Sequence, residues 1–149
     1  MHNNLVYPLL RRFTAKGWVT KKTVPGLRGQ TREQYALTTL GRTELIRRLS
    51  EFSDAEASSQ QGFVTRVGMF NVLESQVRTR ILEQRESYLR SRKEKLSSMQ
   101  ENLNLEMYGG EVVRYLIEQI HTELVWVRRL HRLAARTKDH RRGVEGRKV

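Results

Sequence analysis

The chain contains no cysteine, which excludes a disulfide framework and any thiolate-bound zinc. Proline is nearly absent, with Pro8 and Pro25 alone in 149 residues. No long apolar stretch and no leader pattern is present, so a membrane span is not expected and a cytoplasmic protein is. The four histidines, His2, His121, His131 and His140, show no metal-ligand spacing. His121 and His131 share an expected helix but stand roughly 80° apart around it, as surface or boundary residues do. Gly26-Leu27-Arg28-Gly29 belongs to a hairpin rather than a strand-to-helix turn, so it is not a Walker or Rossmann phosphate loop. Glu83 and Glu86 lie on one helix face, but flanking arginines make them ordinary ion-pair partners. No catalytic constellation emerges, and neither an enzyme nor a cofactor is expected.

Acid is also scarce: 16 Asp and Glu stand against 28 Lys and Arg, a net charge of +12. A surplus of that size suits an anionic partner such as nucleic acid and says nothing about fold. It is concentrated at the front. Residues 1–48 hold ten basic and two acidic residues (+8), residues 49–108 eight and nine (−1), and residues 109–149 ten and five (+5).

The basic front has a readable order. Val6, Leu9, Leu10 and Phe13 recur at i, i+3, i+4 and i+7, one face of a helix. Asn4, Tyr7, Arg11 and Thr14 fall on another face, with groups suited to base edges and phosphates. Pro8 confines the helix start to about Asn3–Leu5, with Asn3 or Asn4 as the N-cap. Gly17 suits the left-handed position that ends a helix. Trp18 to Val24 is β-branched and aromatic and reads as a strand, Pro25-Gly26 opens a turn, and Gln34 to Leu37 returns as a second strand with Tyr35 and Leu37 on one face. Thr38 is the expected cap of a helix to about Leu49, with Leu45, Ile46 and Leu49 on its apolar side.

Tyr7-Pro8-Leu9-Leu10-Arg11-Arg12, Gly17 before the first strand, and Tyr35-Ala36-Leu37-Thr38-Thr39-Leu40-Gly41 after the second resemble the PadR family of bacterial transcriptional regulators. The wing tip departs from the family's usual Gly-Arg-Pro-Arg, since Gly29-Gln30-Thr31-Arg32 keeps only the last arginine. The resemblance implies a winged helix-turn-helix that reads double-stranded DNA. Asn3, Asn4 and Tyr7 are then the candidates for base contact. Arg11, Arg12, Lys21 and Lys22 are candidates for phosphates, and Arg28 and Arg32 on the wing for an adjacent minor groove or its phosphates. In this family two helices precede the recognition helix, and only Met1 and His2 precede Asn3 here. The expectation is an N-terminally truncated reader over residues 1–50, loosely held, that binds operator poorly unless extended upstream.

Glu51 to Gly62 is rich in Ser, Ala, Gln and acid and reads as a linker, 51–62. A short helix follows from Phe63 to Leu73. A long helix is expected from about Ser75 to Leu103, with Leu82, Leu89, Leu96 and Leu103 every seven residues. Tyr108-Gly109-Gly110 reads as a break, and a last helix runs from about Glu111 to Ala135 with Val113, Ile117, Ile120, Leu124 and Val127 as its seam. Two long helices across a short break suggest an antiparallel hairpin. It resembles the helical region of longer PadR members, which implies a dimerisation domain over 63–135 with Leu82, Leu89, Leu96, Ile117, Ile120, Leu124 and Val127 in the dimer seam. Trp126 suits either core or an aromatic effector in a dimer cavity. Residues 136–149 read as a disordered basic tail.

The expected fold is mainly α with a small β-hairpin wing, followed by a long helical hairpin. The expected function is that of a PadR-like, sequence-specific repressor acting as a homodimer under a small-molecule effector. The alternative is a helical dimerisation or adaptor protein that keeps only a partial, weak DNA-binding module.

Overall fold

A computed structural model describes residues 6–26 and 30–136. The candidates Asn3, Asn4 and Arg28, and the tail from 137 onward, lie outside the described residues. The chain divides into two compact units between Glu51 and Phe52.

In the first unit, helix α1 (Val6–Ala15) leads into the antiparallel strands β1 (Val19–Pro25) and β2 (Thr31–Leu37), and helix α2 (Thr39–Ser50) follows. Pro8 lies in the first turn of α1, where its missing N–H breaks no helical bond. Gly17 ends the helix at φ +70, a backbone conformation that a Cβ would strain. β2 begins three residues before the expected Gln34, because pairing continues to Pro25 opposite Thr31. Thr38 joins the pieces. Its hydroxyl donates to the Gly17 carbonyl at 2.6 Å and accepts from the Gly41 N–H at 2.9 Å, so one side chain caps α2 and fixes the end of α1. Trp18 fills the space beside it, with the Phe13 ring 5.5 Å away and Lys16 and Arg48 over its own ring.

The second unit is helical: α3 (Asp54–Ser58), α4 (Gln60–Val67), a 3-10 turn at Phe70–Val72, α5 (Ser75–Asn102) and α6 (Met107–Arg136). The linker reading of 51–62 is corrected here. Ser53 and Glu56 form a capping box that starts α3, and Phe52 and Ala57 are buried. Two apolar anchors and a capped turn outweigh the polar composition around them. The break at Tyr108-Gly109-Gly110 is corrected as well. Both glycines lie in the first turns of α6, and the chain leaves helical geometry at Leu103–Glu106 instead.

α5 and α6 pack antiparallel, with Ser75 Oγ donating to the Ala134 carbonyl at 3.2 Å where α5 begins and α6 ends. Leu82, Leu89 and Leu96 from α5 meet Ile120, Leu124 and Val127 from α6 in the core, all buried, with Ile117 half-buried beside them. The seam expected to join two chains thus closes one chain on itself, because each stripe finds its partner across a short turn. Phe63 from α4 is fully buried, edge-on to Trp126 at 5.8 Å. An ion pair is sealed into this core. Arg85 Nε and Nη2 donate to the two carboxylate oxygens of Glu123 at 2.8 and 2.9 Å, and Arg85 Nη1 donates to the Ala57 carbonyl, which ties α3 to the hairpin.

Candidate nucleic-acid interface

The first unit has one face built from charged and aromatic side chains. Strand alternation sorts the hairpin. The cross-strand pairs Val19–Leu37, Lys21–Tyr35 and Thr23–Glu33 put Lys21, Glu33 and Tyr35 on one face, and the pairs Lys22–Gln34 and Val24–Arg32 put Lys22 and Arg32 on the other. On α1, Tyr7, Arg11 and Thr14 share a side at i, i+4 and i+7. The two sets meet. Tyr7, Arg11, Thr14, Lys21, Glu33 and Tyr35 line an open groove of about 410 Å³ between helix and hairpin. A neighbouring recess of about 530 Å³ adds Val6, Leu10 and Arg32.

Of the candidates named from sequence, the fold thus brings Tyr7, Arg11 and Lys21 to one groove and Arg32 to its edge. Lys22 is exposed on the opposite hairpin face, and Arg12 is exposed on α1 one position past Arg11. The candidates named from sequence do not include Glu33 and Tyr35, while Thr14 falls on the α1 face already read as polar. Both are findable once the strand register is written out, because Glu33 and Tyr35 pair across from Thr23 and Lys21.

A small polar network occupies the groove. Lys21 forms an ion pair with Glu33, and the Tyr35 hydroxyl donates to the other Glu33 carboxylate oxygen at 3.0 Å. Hydrogen bonds from Lys21 and then Tyr35 hold the Glu33 carboxyl below its ordinary pKa. The Glu33 carboxylate in turn raises the Lys21 ammonium, and desolvation followed by the bond to Glu33 raises the Tyr35 phenol.

The apolar side of α1 is less covered than a core helix requires. It contains no buried residue; Val6 is 51% and Leu9 39% exposed. Leu10 and Phe13 are half-buried, and the Phe13–Trp18 contact is the ring packing that holds the helix.

The second unit offers two further hollows. One of about 270 Å³ lies beside the buried Arg85–Glu123 pair and is lined by Tyr88, Arg92 and Gln119 among others. Another of about 750 Å³ runs along α6 past Tyr115, Thr122 and Trp126 to Val64 of α4. Among the described residues no cluster of His, Asp and Glu is grouped to hold a metal ion, and no helix is long and apolar enough to cross a membrane.

Residues 1–47 match the family model described as the transcriptional regulator PadR-like family. The match covers α1, the hairpin and most of α2, the same residues that carry the resemblance in sequence. No curated protein matches the chain. Among solved structures, the chain is similar to the crystal structure of Bacillus subtilis PadR in complex with operator DNA, at 18% identity and a TM-score of 0.45, over 87% of this chain and 78% of that one.

Proposed function

From a front segment that matches the PadR-like family over residues 1–47, we propose that this chain is a DNA-binding transcriptional regulator that represses as a homodimer. The observation that carries the DNA reading is the groove between α1 and the hairpin, where Tyr7, Arg11 and Lys21 converge and Arg32 flanks them. In this reading α1 enters a major groove, with Asn3, Asn4 and Tyr7 toward base edges. Arg11, Arg12 and Lys22 take phosphates, Lys21 stands in the groove beside them paired with Glu33, and Arg28 and Arg32 are the candidates for an adjacent minor groove or its phosphates. Repression released by a small effector follows the habit of the family, and the hollow past Trp126 is the proposed effector site.

The dimer reading draws on a second stripe of α6. Tyr108, Val112, Tyr115, Thr122, Trp126 and Leu133 recur at i, i+4, i+7, i+14, i+18 and i+25. Most of this side is open, with Tyr108 78%, Val112 57%, Tyr115 58% and Leu133 52% exposed, while Trp126 is half-buried against Phe63. Exposed side chains of that size, aligned along a helix of 30 residues, suit a second copy of the same helix.

The test is binding to duplex DNA as salt is varied. Arg32→Ala should weaken binding and flatten the log K against log salt plot by about one unit. An unchanged affinity and slope would remove Arg32 from the interface. One observation favours the weaker, adaptor-like reading: α1 buries none of its residues. In that reading, binding stays weak and nearly indifferent to salt.

A further inference from the structure

Residues 1–37 contain seven basic residues and a single acid, Glu33. That one carboxylate stands in the groove, among the groups proposed to meet DNA. It is held from two sides, by Lys21 on the paired strand and by the Tyr35 hydroxyl at 3.0 Å. Lys21 and Glu33 are each 43% exposed, so their pair is a surface ion pair of little weight for stability. The placement has a stronger consequence for anions. A phosphate that approached Lys21 would meet a fixed negative charge already seated on it.

We infer that Glu33 is a selectivity residue, which withholds Lys21 from the phosphate backbone and so keeps the chain from binding DNA of arbitrary sequence. The inference rests on the DNA-binding reading above. Non-specific affinity comes almost wholly from cations that release counterions from phosphates. A lysine neutralised within the protein releases none. The carboxylate also repels neighbouring phosphates while remaining able to accept from a cytosine amino group, so it penalises backbone contact more than base contact. Tyr35 makes the arrangement durable, because its hydroxyl fixes the carboxylate on the side away from Lys21.

The test uses the full chain and a duplex of mixed sequence, titrated at several sodium chloride concentrations. Glu33→Gln keeps shape and the Tyr35 contact but removes the charge. It should bind the duplex roughly three- to tenfold more tightly at low salt, with a slope steeper by about 0.9, the increment of one added phosphate contact. Lys21→Ala should leave the slope of the parent chain almost unchanged, yet cancel the added increment when combined with Glu33→Gln. A Glu33→Gln chain with unchanged or weaker duplex binding overturns the inference, as does a large slope loss from Lys21→Ala alone. A carboxyl titration by NMR checks the pair without DNA. Glu33 should titrate below the ordinary value of 4.5 and return toward it in Lys21→Ala, and a Glu33 that titrates normally in the parent chain overturns the inference too. If neither chain shows salt-dependent binding while the carboxyl titration behaves as expected, the DNA reading fails, and the selectivity role with it.

Discussion

Gly41 packs directly on the backbone of Trp18: a Cβ at position 41 would stand 1.9 Å from the Trp18 carbonyl oxygen and 2.7 Å from its carbonyl carbon. The first turn of α2 therefore lies against the start of β1 with no room for a side chain. The Thr38 hydroxyl holds both ends of that contact, through Gly17 and Gly41.

Gly41→Ala should consequently damage the first unit alone. Overpacking costs about 1–3 kcal/mol, and more where the obstacle is backbone rather than a flexible side chain. Amide exchange across residues 19–50 should accelerate while that of 75–130 stays as it was. Unchanged exchange in the first unit would show that the helix can slide to make room.

The buried Arg85–Glu123 pair gives a prediction of a different kind. Glu123→Ala leaves a guanidinium that is 2% exposed beside Phe63 and Tyr88 with one remaining acceptor, the Ala57 carbonyl. Removing one partner of a buried pair costs about 3–5 kcal/mol, whereas replacing both by apolar residues is often neutral or better. Glu123→Ala should thus lower the urea midpoint of the second unit sharply, and Arg85→Met with Glu123→Leu should recover most of the loss. A double variant as unstable as the single would mean that the bond to Ala57 matters more than the pair.

The two stripes of α6 predict two distinct failures. Leu89→Glu places a charge in the core between α5 and α6, where Leu89 is 2% exposed, so helicity itself should fall. Tyr115→Glu and Leu133→Glu alter side chains that are 58% and 52% exposed, so the chain should stay folded and lose self-association. Circular dichroism with sedimentation separates these outcomes. A parent chain that sediments as a monomer at tens of micromolar would remove the dimer proposal.

Much of this layout was legible because a few positions have one physical use each. Gly17 needed a left-handed backbone, Thr38 had to cap, and Pro8 had to lie in a first turn; the fold places all three so. The linker misreading came from averaging. Composition over 51–62 hid Phe52, Ala57 and the Ser53-to-Glu56 spacing of a capping box, which a residue-by-residue reading could have found. Gly109 and Gly110 misled because glycine lowers helix propensity without forbidding helix, and no crowding or positive φ sets them apart. The leucine stripe could not say whether its partner lay in the same chain, since intrachain and interchain packing use the same spacing. The second stripe was harder to see because Gln119 and Arg129 interrupt it. The groove network needed the strand register, which no periodicity in a seven-residue strand specifies.

The first unit should also weaken in acid for a reason that can be located. Glu44 accepts from Arg47 and Arg48 on the outer turns of α2, and these bonds hold its carboxyl down from 4.5 to about 2. A depressed carboxyl supports the folded state above its unfolded pKa and ceases to as pH falls through the folded one. The loss should therefore develop between about pH 4.5 and 2. Glu44→Gln should flatten the decline over that window and leave stability near neutral pH only slightly lower, since its partners Arg47 and Arg48 are more than half exposed and solvent screens the pairs. An identical acid profile in the variant would place the titrating group elsewhere.

Local stability should differ along the chain in a way hydrogen exchange can read. α1 buries none of its side chains and leaves Val6 and Leu9 open to solvent. Opening it exposes little new apolar surface, so little free energy opposes the opening. α5 and α6 instead enclose Ile81, Leu82, Leu89 and Val127, each at 2% exposure or less. Burying such a side chain contributes roughly 1.5–3 kcal/mol, and separating the two helices exposes all four together. Amides of residues 9–15 should therefore exchange within the dead time or shortly after, while those of 81–89 and 120–127 persist for hours. Added duplex DNA should slow the first set and leave the second unchanged if α1 is the reading helix. Equal protection in both sets without DNA would overturn this ranking of local stability.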